Sequence, residues 1–318
     1  MYVQKEAVLS SQIEGTQASF IDVLQVDADS ALKRQDVEEV VNYVKAMNFG
    51  MHRLSELPLS LRLLREIHAI LLSGVRGSSR NPGEFRSSQN WIGPSGSSLA
   101  TATFVPPPAV EMTTALRDLE LFMHAESDIP HLIRIAMIHA QFETIHPFLD
   151  GNGRMGRLLI AFWLYQQQIL TYPLLYISYY FKQNRSEYYD RLMNVRLQGD
   201  WEGWVKFFLK GVAQVADEAT QSAKLIMKLK DKSMQIIQNE QSGKANSVLL
   251  LDLLFKSPVI TINDVKDALK VSYPTAKTLT DSFCESNIIH CLDKSVQRNK
   301  RYIFTEYVSI LSRGTEIQ

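Results

Sequence analysis

Apolar residues recur along this chain mostly at helical spacing. Residues 36–54 place Val37, Val40, Val41, Val44 and Met47 on one helix face, and residues 60–72 repeat the pattern with Leu61, Leu64, Ile67, Leu71 and Leu72. Residues 109–124 and 130–145 predict two further helices, and another starts just after Gly153 with Leu158, Leu159, Ala161, Phe162 and Leu164. Residues 185–197, 201–213 and 214–238 complete an all-α body. Residues 76–108 interrupt it with dense Gly, Ser and Pro. Two short β-like pieces there, Ser88–Ile92 and Thr101–Val105, flank Gly93-Pro94-Ser95-Gly96, which suits a hairpin turn. Trp91 and Phe104 favour an ordered flap over a disordered loop.

After residue 239 the pattern changes. Residues 240–247 predict a linker. Val248–Phe255 then predicts a short helix, and Thr261 or Asn263 can cap a second that runs through Leu269. Tyr273-Pro274 opens a third, ending near Ser286. Ile288–Leu292 and Tyr302–Phe304 predict two strands around a basic tip of Lys294, Arg298, Lys300 and Arg301. Three helices and a two-stranded wing form the winged helix-turn-helix pattern. The organisation expected is therefore an N-terminal helical region with the flap over 1–110, a helical core over 111–240 and the winged unit over 248–318.

Composition narrows the classes. The 318 residues hold 45% hydrophobic and 21% charged positions, enough for full cores, and 34 basic residues balance 34 acidic ones. Net charge therefore does not point to nucleic acid. Two cysteines, Cys284 and Cys291, are too few for a disulfide framework or a four-ligand zinc site. No signal-peptide pattern or long apolar run appears, so a cytoplasmic protein without membrane contact is expected.

Chemistry concentrates in His146-Pro147-Phe148-Leu149-Asp150-Gly151-Asn152-Gly153-Arg154-Met155-Gly156-Arg157. Pro147 disfavours helix for His146, so a helix should end near Ile145. Gly151 and Gly153 permit a tight loop, and helical periodicity then resumes. The loop thus sits at a helix N-terminus, where unpaired N–H groups and the positive dipole end favour an anion. Arg154 and Arg157 around such a loop suit a polyphosphate. Asp150 suits Mg²⁺, which takes one or two carboxylates plus phosphates and water. His146, with an ordinary pKa of about 6.5, can act as a general base. The combination predicts attack of a hydroxyl on a phosphate. There is no P-loop ending.

This string resembles the Fic family motif, His-Pro-Phe-x-Asp/Glu-Gly-Asn-Gly-Arg-x-x-Arg, at every specified position, and the resemblance extends over most of residues 1–240. It implies the Fic all-α fold and transfer of AMP from ATP to Ser, Thr or Tyr of a protein, the chain itself included. In that reading His146 deprotonates the hydroxyl and Asp150 holds Mg²⁺. Gly151, Asn152 and Gly153 cradle the α- and β-phosphates. Arg154 neutralises charge, Arg157 holds the γ-phosphate, and Met155 and Gly156 lie inside the same nucleotide-binding stretch. Related toxins that phosphorylate their targets carry lysine where Gly153 stands. The flap resembles the family's target-docking flap, with Asn90, Trp91, Ile92 and Gly93 along the nucleotide and an edge open to an extended peptide. Tyr188 and Tyr189 match a tyrosine pair lining the adenine pocket in similar proteins, although two tyrosines on a helix also suit core packing. His139, two turns before His146, is read as a core histidine rather than a metal ligand.

Ser10-Ser11-Gln12-Ile13-Glu14-Gly15 is a second informative string. Ser10 and Glu14 share a helix face, and Gly15 is a natural helix stop. Beside the Fic motif it resembles the family's inhibitory sequence, which implies that Glu14 pairs with Arg157 and competes with the γ-phosphate. Some related enzymes use this glutamate to remove AMP, and both roles stay open. So do three further alternatives: a DNA-binding regulator with a Fic sensor domain, a transferase using another nucleotide or a phosphocholine conjugate, and a homodimer. The winged unit's charges are nearly balanced, and such units dock DNA or protein.

Overall fold

A computed structural model of the chain describes residues 1–25, 31–94, 96–239, 244–292 and 300–317. Its helices are α1 (Tyr2–Ile13), α2 (Phe20–Leu24), α3 (Ala31–Arg53), α4 (Leu61–Leu71), α5 (Ala109–His124), α6 (His131–Ile145), α7 (Asn152–Gln166), α8 (Ser178–Gln183), α9 (Arg185–Gln198) and α10 (Trp201–Asn239). Then come α11 (Lys244–Lys256), β1 (Val259–Thr261), α12 (Ile262–Leu269), α13 (Tyr273–Glu285), β2 (His290–Cys291), β3 (Arg301–Ile303) and α14 (Thr305–Leu311).

The apolar stripes explain the packing. Helix α7 is buried on nearly every side from Met155 to Leu164, so it is the central rod rather than a surface helix. It packs on α6 and α3, while α1 lies against α3 and α8. Trp204 of α10 is fully buried, and its indole N–H donates to the Ala136 carbonyl at 2.7 Å. Burying such a side chain contributes about 2–3 kcal/mol, provided its N–H finds a partner, as it does here.

Three expectations change. Residues 201–238 form one unbroken helix instead of two, because no Pro intervenes and Gly211 continues the turn while the Tyr180 ring fills the space its side chain would take. The flap hairpin reduces to a single antiparallel bridge, Ile92 with Phe104, through hydrogen bonds of 2.8 and 3.0 Å. A 3-10 turn at Leu99–Thr101 occupies the second strand's start, and Ser95 of the predicted turn lies outside the described residues. The linker shortens: residues 240–243 lie outside the described residues, and 244–247 already belong to α11.

The C-terminal unit has the three predicted helices. Thr261 caps α12 in a capping box with Asp264, and Ser272 caps α13 with Pro274 in the first turn. Its sheet has three strands in the order β1-β3-β2, all antiparallel, with Tyr302 opposite both Ile260 and Cys291. Lys294 and Arg298 of the basic tip lie outside the described residues. No helix among the described residues is long and apolar enough to cross a membrane.

Candidate active site

Helix α6 ends at Ile145, two residues before Pro147, as the proline requires of His146 between them. His146 then adopts the left-handed conformation, with φ 49°. That region is costly for a residue with a Cβ, roughly 1–2 kcal/mol. The surroundings over-determine it. The His146 carbonyl accepts from Arg86 Nε at 3.0 Å and Asn90 Nδ2 at 3.2 Å. Arg86 also donates to the carbonyls of Ile145, Pro107 and Ser88, and its own N–H donates to Pro147. One buried guanidinium thus ties the end of α6 to the base of the flap.

The loop beyond His146 is equally constrained. Asn152 Oδ1 accepts from the Phe148 N–H at 2.8 Å, and its Nδ2 donates to the Phe148 carbonyl at 2.7 Å. His68 lies under Phe148, ring centroids 3.7 Å apart and nearly parallel. Its Nδ1 accepts from the Gly83 N–H, so Nε2 carries the proton and donates to the Asp150 carbonyl at 3.0 Å. Gly151, with φ 76°, is the N-cap of α7. Among the described residues no side chain caps that helix, so the first-turn amides of Asn152, Gly153 and Arg154 lie at an end suited to an anion. Burial lowers the His146 pKa to about 4, with Arg196 and Arg86 adding to the shift against Glu14 and the Glu143 backbone. The imidazole is therefore neutral near pH 7 and able to take a proton. Its Nδ1 is shielded and has no hydrogen-bond partner among the described residues.

Both motif arginines are buried. Arg157 Nε donates to Ser10 Oγ at 2.7 Å, and its Nη2 donates to the Ser10 carbonyl at 2.9 Å and Glu14 Oε1 at 2.7 Å. Glu14 is the C-cap of α1, and Gly15 follows at φ 94°, the stop that its sequence predicts. Burial alone would push the Glu14 carboxyl up. Arg157, Arg154 and His146 together outweigh it and hold the group below its ordinary range. The carboxylate lies directly over Gly153, where any side chain would collide with it. Arg154 Nη1 lies 3.4 Å from Glu39 Oε2, and its Nη2 lies 3.6 Å from Asp150 Oδ1. Glu39 also accepts from Thr16 Oγ1 at 2.9 Å and faces Arg76 at 3.4 Å. The segment 10–16 therefore reaches Arg157 directly and Arg154 through Glu39.

Several expected residues take other places. Met155 is buried in the core, and Gly156 faces Glu143 and His139 in the interior, so neither offers a side chain to the loop. The Met155 N–H is already used by the Gly151 carbonyl. Asn90 grips the motif backbone, also donating to the Phe148 carbonyl at 2.9 Å. Trp91 remains exposed, its indole N–H donating to the Ser97 carbonyl, while Ile92 makes the bridge and Gly93 abuts Ser97. Tyr188 is a core residue, stacked on Phe181 with its hydroxyl bonded to His139 Nε2. Tyr189 is 38% exposed beside it, close enough to Glu14 and Arg157 to feel both charges. His139 also bonds the Gly156 carbonyl and is a satisfied core histidine, as its sequence predicts.

Sequence reasoning missed Glu39, His68 and Arg86. His68 carried a signal, since it occupies the apolar stripe of Leu61, Leu64 and Leu71. Arg86 lies in a polar loop with no periodicity to mark it. Among the described residues, no group of three or more His, Cys, Asp or Glu is arranged for a metal. The Asp150 Oδ1 takes the Gly151 N–H at 2.6 Å, and the side chain is 35% exposed. A single half-open carboxylate beside an anion loop fits the part of a ligand to Mg²⁺ that arrives on phosphates.

This geometry defines a helical protein in which a carboxylate of the first helix bonds Arg157 and lies over Gly153 at the start of α7. Known proteins are similar to this chain in sequence or in fold. A family model described as Fic/DOC family matches residues 58–164, and one described as Fic/DOC family N-terminal matches residues 1–52, together half of the chain. The chain belongs to the Fic/DOC family. A protein adenylyltransferase Fic from Culex quinquefasciatus is 34% identical over 151 residues, 47% of this chain and 27% of that protein. The one from Drosophila grimshawi is 28% identical over 186 residues, 58% of this chain and 34% of that protein. The matched region thus spans about a third or less of these relatives' length. A Fic family protein from Desulfovibrio desulfuricans shares the fold, with a TM-score of 0.60 and 21% identity over 95% of this chain and 86% of that chain. A Fic domain containing signaling protein from Bacteroides thetaiotaomicron has a TM-score of 0.57 and 20% identity over 69% and 87% respectively.

Proposed function

We propose that this chain transfers AMP from ATP to a Ser, Thr or Tyr hydroxyl of a protein. The observation that carries the reading is the occupant of Arg157: a carboxylate from α1 sits where the outermost phosphate of a triphosphate on the α7 amides would lie. In this reading the target oxygen attacks the α-phosphorus of ATP. The bond from that phosphorus to the bridging oxygen breaks, the hydroxyl proton passes to the neutral His146 imidazole, and pyrophosphate leaves. Arg154 and Arg157 neutralise the phosphate charge. Asp150 is the residue that would hold Mg²⁺, whose charge offsets that of the phosphates. Glu14 competes for Arg157 and leaves ATP poorly aligned, and alignment is worth many orders of magnitude in rate.

Labelled-ATP transfer by wild type, Glu14→Gly and His146→Ala tests this. Glu14→Gly should raise incorporation, and His146→Ala should lower it by about 10²–10⁴-fold, the usual contribution of a general base. Label persisting in His146→Ala, or no gain in a folded Glu14→Gly, would overturn the reading. Intact mass of the product distinguishes AMP from another donor's group.

For residues 244–317 we propose a winged helix-turn-helix that docks a protein. Support comes from α11–α13 followed by the β2–β3 ribbon, and from charge: Lys277 pairs with Asp281 and Lys266 with Asp267, which spends basic groups a DNA backbone would need. A gel shift with a steep salt slope would favour DNA instead.

A further inference from the structure

Gln12 is two residues from both Ser10 and Glu14. At about 100° per residue it faces the side of α1 away from Arg157. Its amide is fully engaged there. Nε2 donates to the carbonyls of Ala18 and Thr315, both at 2.9 Å, and Oε1 accepts from Lys182 Nζ at 2.7 Å. Lys182, on α8, also donates to the carbonyls of Gly314 at 3.2 Å and Glu316 at 2.7 Å. These are charge-assisted bonds, the stronger kind. The segment receiving them is shaped for the contact. Gly314 takes φ 81° with its Cα against the Tyr179 ring, leaving no room for a Cβ. Thr315 is buried, and its N–H and hydroxyl both bond the Ser312 carbonyl. On its backbone side, Gln12 accepts the Gly15 N–H at 3.0 Å, the bond that closes the turn presenting Glu14. One residue therefore joins the Ser312–Thr315 turn to the turn that carries the carboxylate.

We propose that Gln12 and Lys182 are positioning residues for Glu14, and that residues 314–316 clamp α1 through them. The proposal rests on the transferase reading above, in which Glu14 restrains the site. It links the brake to the C-terminal unit, because the clamp continues directly from α14, which packs on α10 and is tied to it by the Lys232–Glu306 ion pair. A partner that draws α14 outward would withdraw the clamp and loosen α1 without touching the phosphate loop.

The full chain tests this in two backgrounds. Lys182→Met keeps the stem and removes the donors; Lys182→Arg keeps a charged donor. In the otherwise wild-type chain, Lys182→Met should raise AMP incorporation about tenfold, in line with loss of the charged hydrogen bond to Gln12, with Lys182→Arg close to wild type. In the Glu14→Gly background Lys182→Met should change neither kcat nor KM for ATP, since no brake is left to position. Backbone hydrogen exchange of residues 10–16 should quicken in Lys182→Met, a readout independent of activity. Wild-type exchange and incorporation in Lys182→Met would overturn the clamp, as would an equal rate change in both backgrounds, which marks a general packing role. A Glu14→Gly chain no more active than wild type, with exchange still quickened by Lys182→Met, would instead sink the transferase reading and leave the contact as a structural tether.

Discussion

In residues 146–157 most residues are buried, and three of the polar side chains are held by named partners: Asn152 with Phe148, Arg154 with Glu39, Arg157 with Ser10 and Glu14. In residues 88–105 one bridge does the pairing, and Trp91, Leu99 and Val105 are each more than two-fifths exposed. The two segments adjoin, yet one is held by buried polar partners and the other leaves its large apolar groups exposed. Phosphate chemistry needs donors fixed before the ligand arrives, because reorganisation in the reacting complex costs rate. A surface that docks varied polypeptide can leave its apolar groups and backbone edge for the partner to complete.

Arg86 joins the two regions, so its loss should have the largest effect. Arg86→Ala removes a donor from each of the carbonyls of His146, Ile145 and Pro107, leaves Asn90 alone to hold the His146 carbonyl among the described residues, and loosens the strained His146 backbone. Stability should fall by about 3 kcal/mol, and transfer in the Glu14→Gly background by about 10²-fold. Denaturant melts and initial rates measure both, and an Arg86→Ala chain as active as its parent would make the flap an independent loop.

Glu143 tests the loop's floor. Its carboxyl lies beneath Gly156 with Oε1 unpartnered among the described residues. Burial raises its pKa to about 7, with Arg157 opposing the shift. The unfolded chain loses this proton near pH 4.5 and the folded chain near 7, so stability attributable to the group declines as pH climbs through that window. Glu143→Gln does not titrate. Its advantage over wild type should therefore be about 1–3 kcal/mol larger at pH 8 than at pH 5. The same difference at both pH values would mean that the carboxylate is charged and paired throughout.

Trp91 tests the flap and should show the smallest effect. Trp91→Ala should leave stability within about 0.5 kcal/mol and KM for ATP unchanged, while KM for a protein target rises several-fold. A change confined to the ATP constant would place the indole on the nucleotide instead.

The sequence alone determined the helical body, the His146–Arg157 loop at a helix start, the stop at Gly15 and the succession α11, α12, α13, β2, β3 in the C-terminal unit, but not β1 or α14. Each is set by local rules: periodicity, proline and glycine geometry, and capping. Even the Glu14–Arg157 contact was legible, though only by resemblance, since nothing local joins residues 143 positions apart. Only the tertiary structure decided the rest. It placed Asn90 as a strut and Tyr188 in the core, because those roles depend on which backbone or ring arrives from elsewhere in the chain. It brought Glu39 to Arg154 and residues 314–316 to Gln12, contacts between segments far apart in sequence. It also lowered the His146 pKa from about 6.5 to about 4, because desolvation belongs to the assembled surroundings rather than to the residue.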